Sequence, residues 1–264
     1  MTGEITWVNL ILGSLLLLFP AFIFWRYKTK LLKPMIISFL RMALQLTLVG
    51  LYLEFIFEWD SIWINLLWVF IMIVAAGHTI IQRSEIRDKR FYIPISIGTL
   101  MNVLINGAVF AFIIIGKDDF FYARVMIPIF GMVIGNSISG TIIAIRSFYN
   151  SLIKEEERYR YYLASGASKA EALFPFMSQA IKDAFSPTIA STATIGLIWL
   201  PGMMTGQILG GSDPITAIKY QIAIIVAIFA GTVIAVYTSI KLSKNFALDD
   251  FLLPKREFFA GKNK

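Results

Sequence analysis

The feature that most constrains this chain is the recurrence of apolar runs long enough to cross a bilayer as helices. A crossing helix needs about 20 apolar residues. Seven stretches qualify, at approximately Ile5–Trp25, Pro34–Phe57, Ile62–Ile81, Phe91–Ile115, Val125–Ile145, Pro187–Gly210 and Ile215–Ile240. The first, third, fourth and fifth contain no Asp, Glu, Lys or Arg. The sixth is equally uncharged but is interrupted by a proline and several glycines. With 57% hydrophobic residues over 264, the chain is too apolar for a soluble domain, and its spans leave no room for a second folded unit. The expected fold is all-α: one polytopic membrane domain over residues 1–264, with seven transmembrane helices.

The loops between the runs alternate in charge. Arg26, Lys28, Lys30 and Lys33 follow the first run, and Arg83, Arg87, Lys89 and Arg90 follow the third. Arg146, Lys154, Arg158, Arg160, Lys169 and Lys182 follow the fifth. Lys241, Lys244, Lys255, Arg256, Lys262 and Lys264 follow the seventh. The intervening turns hold Glu58 and Asp60, then Lys117, Asp118 and Asp119, then Asp213. Basic loops stay cytoplasmic, so the N-terminus is expected outside and the C-terminus inside a plasma or inner membrane. This arrangement also accounts for the formal charge of +7 without a nucleic-acid partner. The first run has its positive charges after it, unlike a cleavable signal. Ser186-Pro187 and Asp213-Pro214 each offer a capping side chain followed by proline at a first helical position.

A polar insert, about residues 146–186, separates the fifth and sixth runs. Tyr149 to Leu163 looks like a cytoplasmic extension of the fifth helix. In it Glu155, Glu156 and Glu157 stand at helical spacing from Arg158 and Arg160. Gly166 should end or bend this helix. Ser168 with Glu171 has the spacing of a capping box for the next. There Ala172, Phe176 and Ala180 share a face, and Leu173, Phe174 and Met177 add apolar bulk. Two readings fit: an amphipathic helix lying on headgroups, or a coupling helix that docks on a soluble ATPase through Leu163, Ala164, Ser165, Gly166, Ala167 and Ser168.

Two runs carry a related phrase, Gly131-Met132-Val133-Ile134-Gly135-Asn136 and Gly202-Met203-Met204-Thr205-Gly206-Gln207. Glycines four apart share a helix face and let backbones approach. Pro201-Gly202 should interrupt its helix within the bilayer, and broken helices often build substrate sites in transporters. Tight packing alone is the plainer alternative.

Taken together, the chain resembles the FetB-type iron-export permeases, relatives of plant aluminium-tolerance permeases. The resemblance rests on Arg41, Gln45 and Gly50, on Ile127-Pro128 through Gly135-Asn136, and on the Ser165-Gly166-Ala167 turn. It rests most on Leu200-Pro201-Gly202-Met203-Met204-Thr205-Gly206 and on Asp213-Pro214 leading to Ala217-Ile218-Lys219-Tyr220-Gln221. It implies a homodimeric permease subunit of an ABC transporter. A separate cytoplasmic ATPase would bind ATP and Mg. The chain itself has no Gly-x-x-x-x-Gly-Lys-Ser/Thr phosphate loop, so no cofactor is expected in it.

The polar residues within the spans set the expected pathway: Arg41, Gln45, Asn102, Asn106, Met132, Asn136, Met203, Met204 and Gln207. These are amides, thioethers and one arginine. Bare ferrous iron prefers imidazole, carboxylate or thiolate, so the metal either passes hydrated or chelated, or the cargo differs. With no cysteine and one histidine, His78, no catalytic site is expected. The expected function is ATP-driven export of iron or another metal. The alternatives are an ABC permease for an anionic or nucleotide-sugar solute, and an ATP-independent carrier or channel.

Overall fold

The structure is a computed structural model describing residues 6–249, 252–255 and 258. Arg256, Lys262, Lys264 and the expected first-span start at Ile5 lie outside the described residues. The described residues form helices and no strand, in two compact units that divide after Trp59.

The first unit holds α1 (Trp7–Ser14), a single 3-10 turn at Leu15–Leu17, α2 (Leu18–Arg26) and α3 (Leu32–Trp59). Thr6 starts α1 by accepting a hydrogen bond from the Asn9 amide at 3.3 Å. Trp7–Arg26 and Leu32–Trp59 are each long and apolar enough to cross a membrane.

The second unit holds α4 (Ile62–Ser84), α5 (Tyr92–Val109), α6 (Lys117–Phe120), α7 (Ala123–Lys154), α8 (Glu156–Ala164), α9 (Lys169–Thr192), α10 (Gly202–Leu209) and α11 (Pro214–Ala247). A 3-10 turn leads into α5, and a π-helical turn, Phe110–Ile114, ends it. The α11 helix packs on α5 and α7, and α7 also packs on α4 and α9. Small residues set the closest approach. A Cβ on Gly98 of α5 would stand 2.6 Å from the Ala235 carbonyl oxygen of α11. One on Gly231 of α11 would overlap the Asn102 amide of α5.

Asp213 caps α11, accepting from the Thr216 amide at 3.0 Å ahead of Pro214, as its spacing predicts. Asp60 does the same across the chain for α7, accepting from the Ala123 amide at 2.7 Å. The basic loop after α4 meets both the insert and the C-terminal tail. Arg146 pairs with Glu85 at 3.2 Å, and the Arg87 amide donates to the Phe258 carbonyl at 3.1 Å.

Three local expectations need correction. Residues 187–210 are not one helix, and among the described residues six stretches are helices long and apolar enough to cross a membrane. The chain leaves the helix at Ala193, and Gly196 takes φ +84°. The loop then closes on itself, with Gly196 N–H donating to Trp199 O and Ile198 N–H to Thr194 O, both at 3.0 Å. Those local bonds satisfy backbone groups that a bilayer would leave stranded. Second, Ser186-Pro187 does not start a helix. Pro187 lies inside α9, and the Ser186 hydroxyl turns back to the Lys182 carbonyl at 2.6 Å. Third, the extension of the fifth helix breaks at Glu155, where ψ rises to 32° and α8 begins.

Candidate functional site

Two places gather part of the expected functional residues: the corner between α8 and α9, and a cavity beside the break after α9.

The corner is held by two complete caps. At the end of α8 the Ala167 amide donates to Tyr162 O at 3.0 Å and the Gly166 amide to Leu163 O at 3.1 Å. This pairing is a Schellman motif, and Gly166 supplies its left-handed residue with φ +90°. Two residues on, the Ser168 hydroxyl accepts from the Glu171 amide at 3.3 Å, while the Glu171 carboxylate accepts from the Ser168 amide at 2.8 Å. The predicted capping box is present. The bonds from Ser168 hold the Glu171 carboxyl below the ordinary carboxylate range.

The corner stands on a packed base. Tyr159 and Phe176 are buried and meet edge to face at 6.1 Å. They join Phe148, Tyr149 and Leu152 of α7 and Ala172, Ala180 and Ala184 of α9 in one core. Burying each large side chain contributes roughly 1.5–3 kcal/mol outside the membrane. The insert is thus two helices packed on each other and on α7. Arg158 pairs with Glu155 at 2.8 Å and Arg160 with Glu156 at 2.6 Å, as the spacing predicts. Phe174 departs from its expected place: it is 70% exposed, as is Tyr161 at 69%. Ala164, Ser165, Gly166 and Ser168 are exposed beside them, and Leu163 and Ala167 are half-buried. The corner thus presents two aromatic rings flanking a rigid turn.

The cavity, of about 290 Å³, lies where α7, the end of α9, the broken segment, the start of α10 and α11 meet. Met132 and Asn136 of α7 line it, with Thr188, Ser191 and Thr192 of α9, Pro201, Gly202 and Met203, and Gln221 of α11. No lining residue is ionisable as an acid or base. The Ser191 and Thr192 hydroxyls donate to the Thr188 carbonyl at 3.0 and 2.8 Å. The Asn136 amide nitrogen donates to Met132 O at 2.8 Å. Gln221 is 7% exposed and its Oε1 has no hydrogen-bond partner.

The cavity therefore brings together Met132, Asn136, Met203, Pro201 and Gly202 from the expected set. Others lie elsewhere. Arg41 and Gln45 are exposed on α3 of the first unit. Asn102 and Asn106 are buried against Gly231, with Asn106 Nδ2 donating to Asn102 Oδ1 at 2.7 Å. Met204 and Gln207 are half-buried on α10 outside the lining, and Gln207 Oε1 is buried without a partner. Of the glycine rows, a Cβ on Gly131 would stand 3.2 Å from Met72 Cε. A Cβ on Gly135, Gly202 or Gly206 would meet nothing within 4 Å. His78 bonds the Tyr92 hydroxyl through Nδ1 at 2.6 Å. Among the described residues no group of three His, Cys, Asp or Glu side chains could hold a metal ion.

Sequence reasoning assigned no role to Thr188, Ser191, Thr192 or Gln221. Gln221 carried a signal: it opens a long apolar run of α11 as an isolated amide. The α9 hydroxyls carried none, because Pro187 placed them in a separate helix.

Comparison with known proteins agrees with this architecture. The chain is 31% identical over 241 residues to "Probable iron export permease protein FetB" of Escherichia coli, covering 89% of this chain and 90% of the relative. It is 32% identical over 219 residues to "UPF0014 membrane protein YjkA" of Bacillus subtilis, covering 83% and 86%. It is 32% identical over 207 residues to "Protein ALUMINUM SENSITIVE 3" of Arabidopsis thaliana, covering 78% and 74%. No solved structure matches it. A family model described as "Uncharacterised protein family (UPF0014)" matches residues 7–247, and the chain belongs to that family of helical, multi-pass membrane proteins.

Proposed function

We propose that this chain is the membrane permease subunit of an ABC-type transporter that exports a metal. It would act as a homodimer in a plasma or inner membrane, with its N-terminus outside and its C-terminus in the cytoplasm. A separate cytoplasmic ATPase would supply ATP and Mg and grip the corner at Gly166. The sense of transport and the metal come from the relative named as a probable iron export permease.

The observation that carries the reading is the continuity of α9. The helix starts at the exposed corner, at Lys169, and its last turns, from Thr188 to Thr192, line the cavity. At 1.5 Å per residue, Lys169 and Thr188 stand about 28 Å apart on one rod. Movement of a partner at the corner reaches the cavity wall along one helix, which continues through Pro175 and Pro187. Shifting a two-state equilibrium from one side to the other takes roughly 5.5 kcal/mol. A capped corner on a packed base can transmit a bias of that size, and a loose loop cannot.

The broken segment after α9, with α10 behind it, would complete the sixth crossing in two pieces. Broken crossings of this kind place binding groups in transporters.

The test is reconstitution. Vesicles holding this chain and a candidate ABC ATPase subunit should move metal only with hydrolysable ATP, and the two proteins should copurify. Metal transport by this chain alone, without ATP, would favour a secondary carrier and refute the reading.

A further inference from the structure

We propose that the turn between α2 and α3 holds the headgroup of an anionic phospholipid. The inference stands apart from the transport reading and adds to the first unit a lipid site at the membrane surface.

Charge carries the first part of the argument. Arg26, Lys28, Lys30 and Lys33 crowd into one short turn, and all four are exposed. In the second unit the arginines beside the insert and the loop after α4 have carboxylate partners: Arg90 with Asp88, Arg146 with Glu85, Arg158 with Glu155 and Arg160 with Glu156. The turn has no such partner in its own unit. The sequence from Ile5 to Leu53 contains no Asp or Glu. Glu54, the next acidic residue, stands about 32 Å along α3 from Lys33. A counter-charge for these four cations therefore comes from outside the unit. Position names its source. One membrane-crossing stretch ends at Arg26 and the next begins at Leu32, so the turn lies where the chain meets the headgroups. Trp25 and Tyr27, 66% and 74% exposed, are the aromatic residues that settle at that level.

The backbone supplies an independent observation. The Lys28 amide donates to Trp25 O and the Thr29 amide to Phe24 O, both at 3.2 Å. This is a Schellman closure of α2, and its left-handed position, normally a glycine, is Lys28 with φ +49°. Lys30 follows in the same region with φ +60°. The Thr29 hydroxyl accepts from the Leu31 amide at 3.3 Å between them. Glycine would hold both positions without strain. Lysine at each gives up that ease and adds an ammonium group, and strain of this kind collects where ligands are held.

The chain has no cysteine, so Leu31→Cys, half exposed in the turn, carries a single fluorophore there. The full-length protein is reconstituted in phosphatidylcholine vesicles containing a minor share of nitroxide-labelled phosphatidylglycerol, or of nitroxide-labelled phosphatidylcholine as control. Phosphatidylglycerol should quench at an about fivefold lower lipid fraction, the scale of one basic residue beside an anionic surface. Lys28→Gly with Lys30→Gly removes two charges and relieves both strained positions. Its quenching preference should fall to near one while its Tm does not fall. Lys28→Arg with Lys30→Arg should keep the preference. Equal quenching by the two lipids at the wild-type turn would overturn the proposal and place the counter-charge on protein. An unchanged preference in the glycine pair would also overturn it. Loss of the preference on adding millimolar inorganic phosphate would overturn it in favour of a free anion.

Discussion

Gly166 is the residue whose replacement tests the coupling corner most sharply. Its φ is +90°, and a Cβ built there meets nothing within 4 Å. A larger side chain therefore costs only backbone strain, with no clash to obscure it. Holding an ordinary L-residue in the left-handed region costs about 1–2 kcal/mol. That strain shifts the wound corner against its unwound forms by a factor of about 5–30. The Ala167 to Tyr162 and Gly166 to Leu163 bonds open first, since only they depend on the left-handed residue. Hydrogen exchange at residues 165–167 should accelerate by that factor in Gly166→Val, with little change in the buried turns around Phe176. In vesicles with the ATPase, hydrolysis should continue while transport falls. Gly166→Asn should lie between, because Asn tolerates the left-handed region better. Wild-type exchange and transport in Gly166→Val would refute the claim that this turn transmits force.

Other consequences follow from the same geometry. Ser168→Ala removes one half of the capping box and should cost about 0.5–2 kcal/mol locally, seen as faster exchange in the first turn of α9. The Glu171 half has a pH dependence. Because its folded pKa is depressed, its contribution is full above the ordinary value of 4.5 and is lost as pH falls through the lower folded value. Protection of the Ser168 amide, its exchange relative to the intrinsic rate at each pH, should therefore be flat from pH 7 to 5 and fall only below that range, and Glu171→Gln should lose the dependence. Ile181→Pro, at an exposed position in the middle of α9, should break the rod at a cost of about 3 kcal/mol. It should abolish ATP-driven transport while the corner still binds the ATPase. Gly98→Ala forces a methyl against the Ala235 carbonyl and should cost about 1–3 kcal/mol, read as a lower Tm of the purified chain.

The helical membrane architecture was legible because it depends on run length and charge alone, which no tertiary contact overrides. The corner was legible because caps are local chemistry: Gly166, Ser168 and Glu171 act within four residues of one another. The sixth crossing was not. Pro187 reads as a helix start, yet α9 passes through it because its buried face, Ala180, Ala184 and Phe185, is already committed to the core. Packing there outweighs a missing amide donor. The same error hid the cavity, since Thr188, Ser191 and Thr192 reach it only if α9 is continuous. Asn102 and Asn106 show the converse. Their spacing suited a pathway, but Gly231 opposite them lets α11 approach and takes up the space. Neither the partner helix nor its glycine is visible from α5 alone.

The central claim is that a soluble ATPase grips this chain at the corner between α8 and α9. The chain has no cysteine, so a single Phe174→Cys gives a unique thiol on the exposed face. Crosslinking that thiol in native membranes, with a membrane-impermeant thiol reagent as the side marker, is the most direct measurement. The account predicts a crosslink to the ATPase subunit whose yield changes with ATP, and labelling only from the cytoplasmic side. Labelling from the outside, with no ATPase captured, would contradict it.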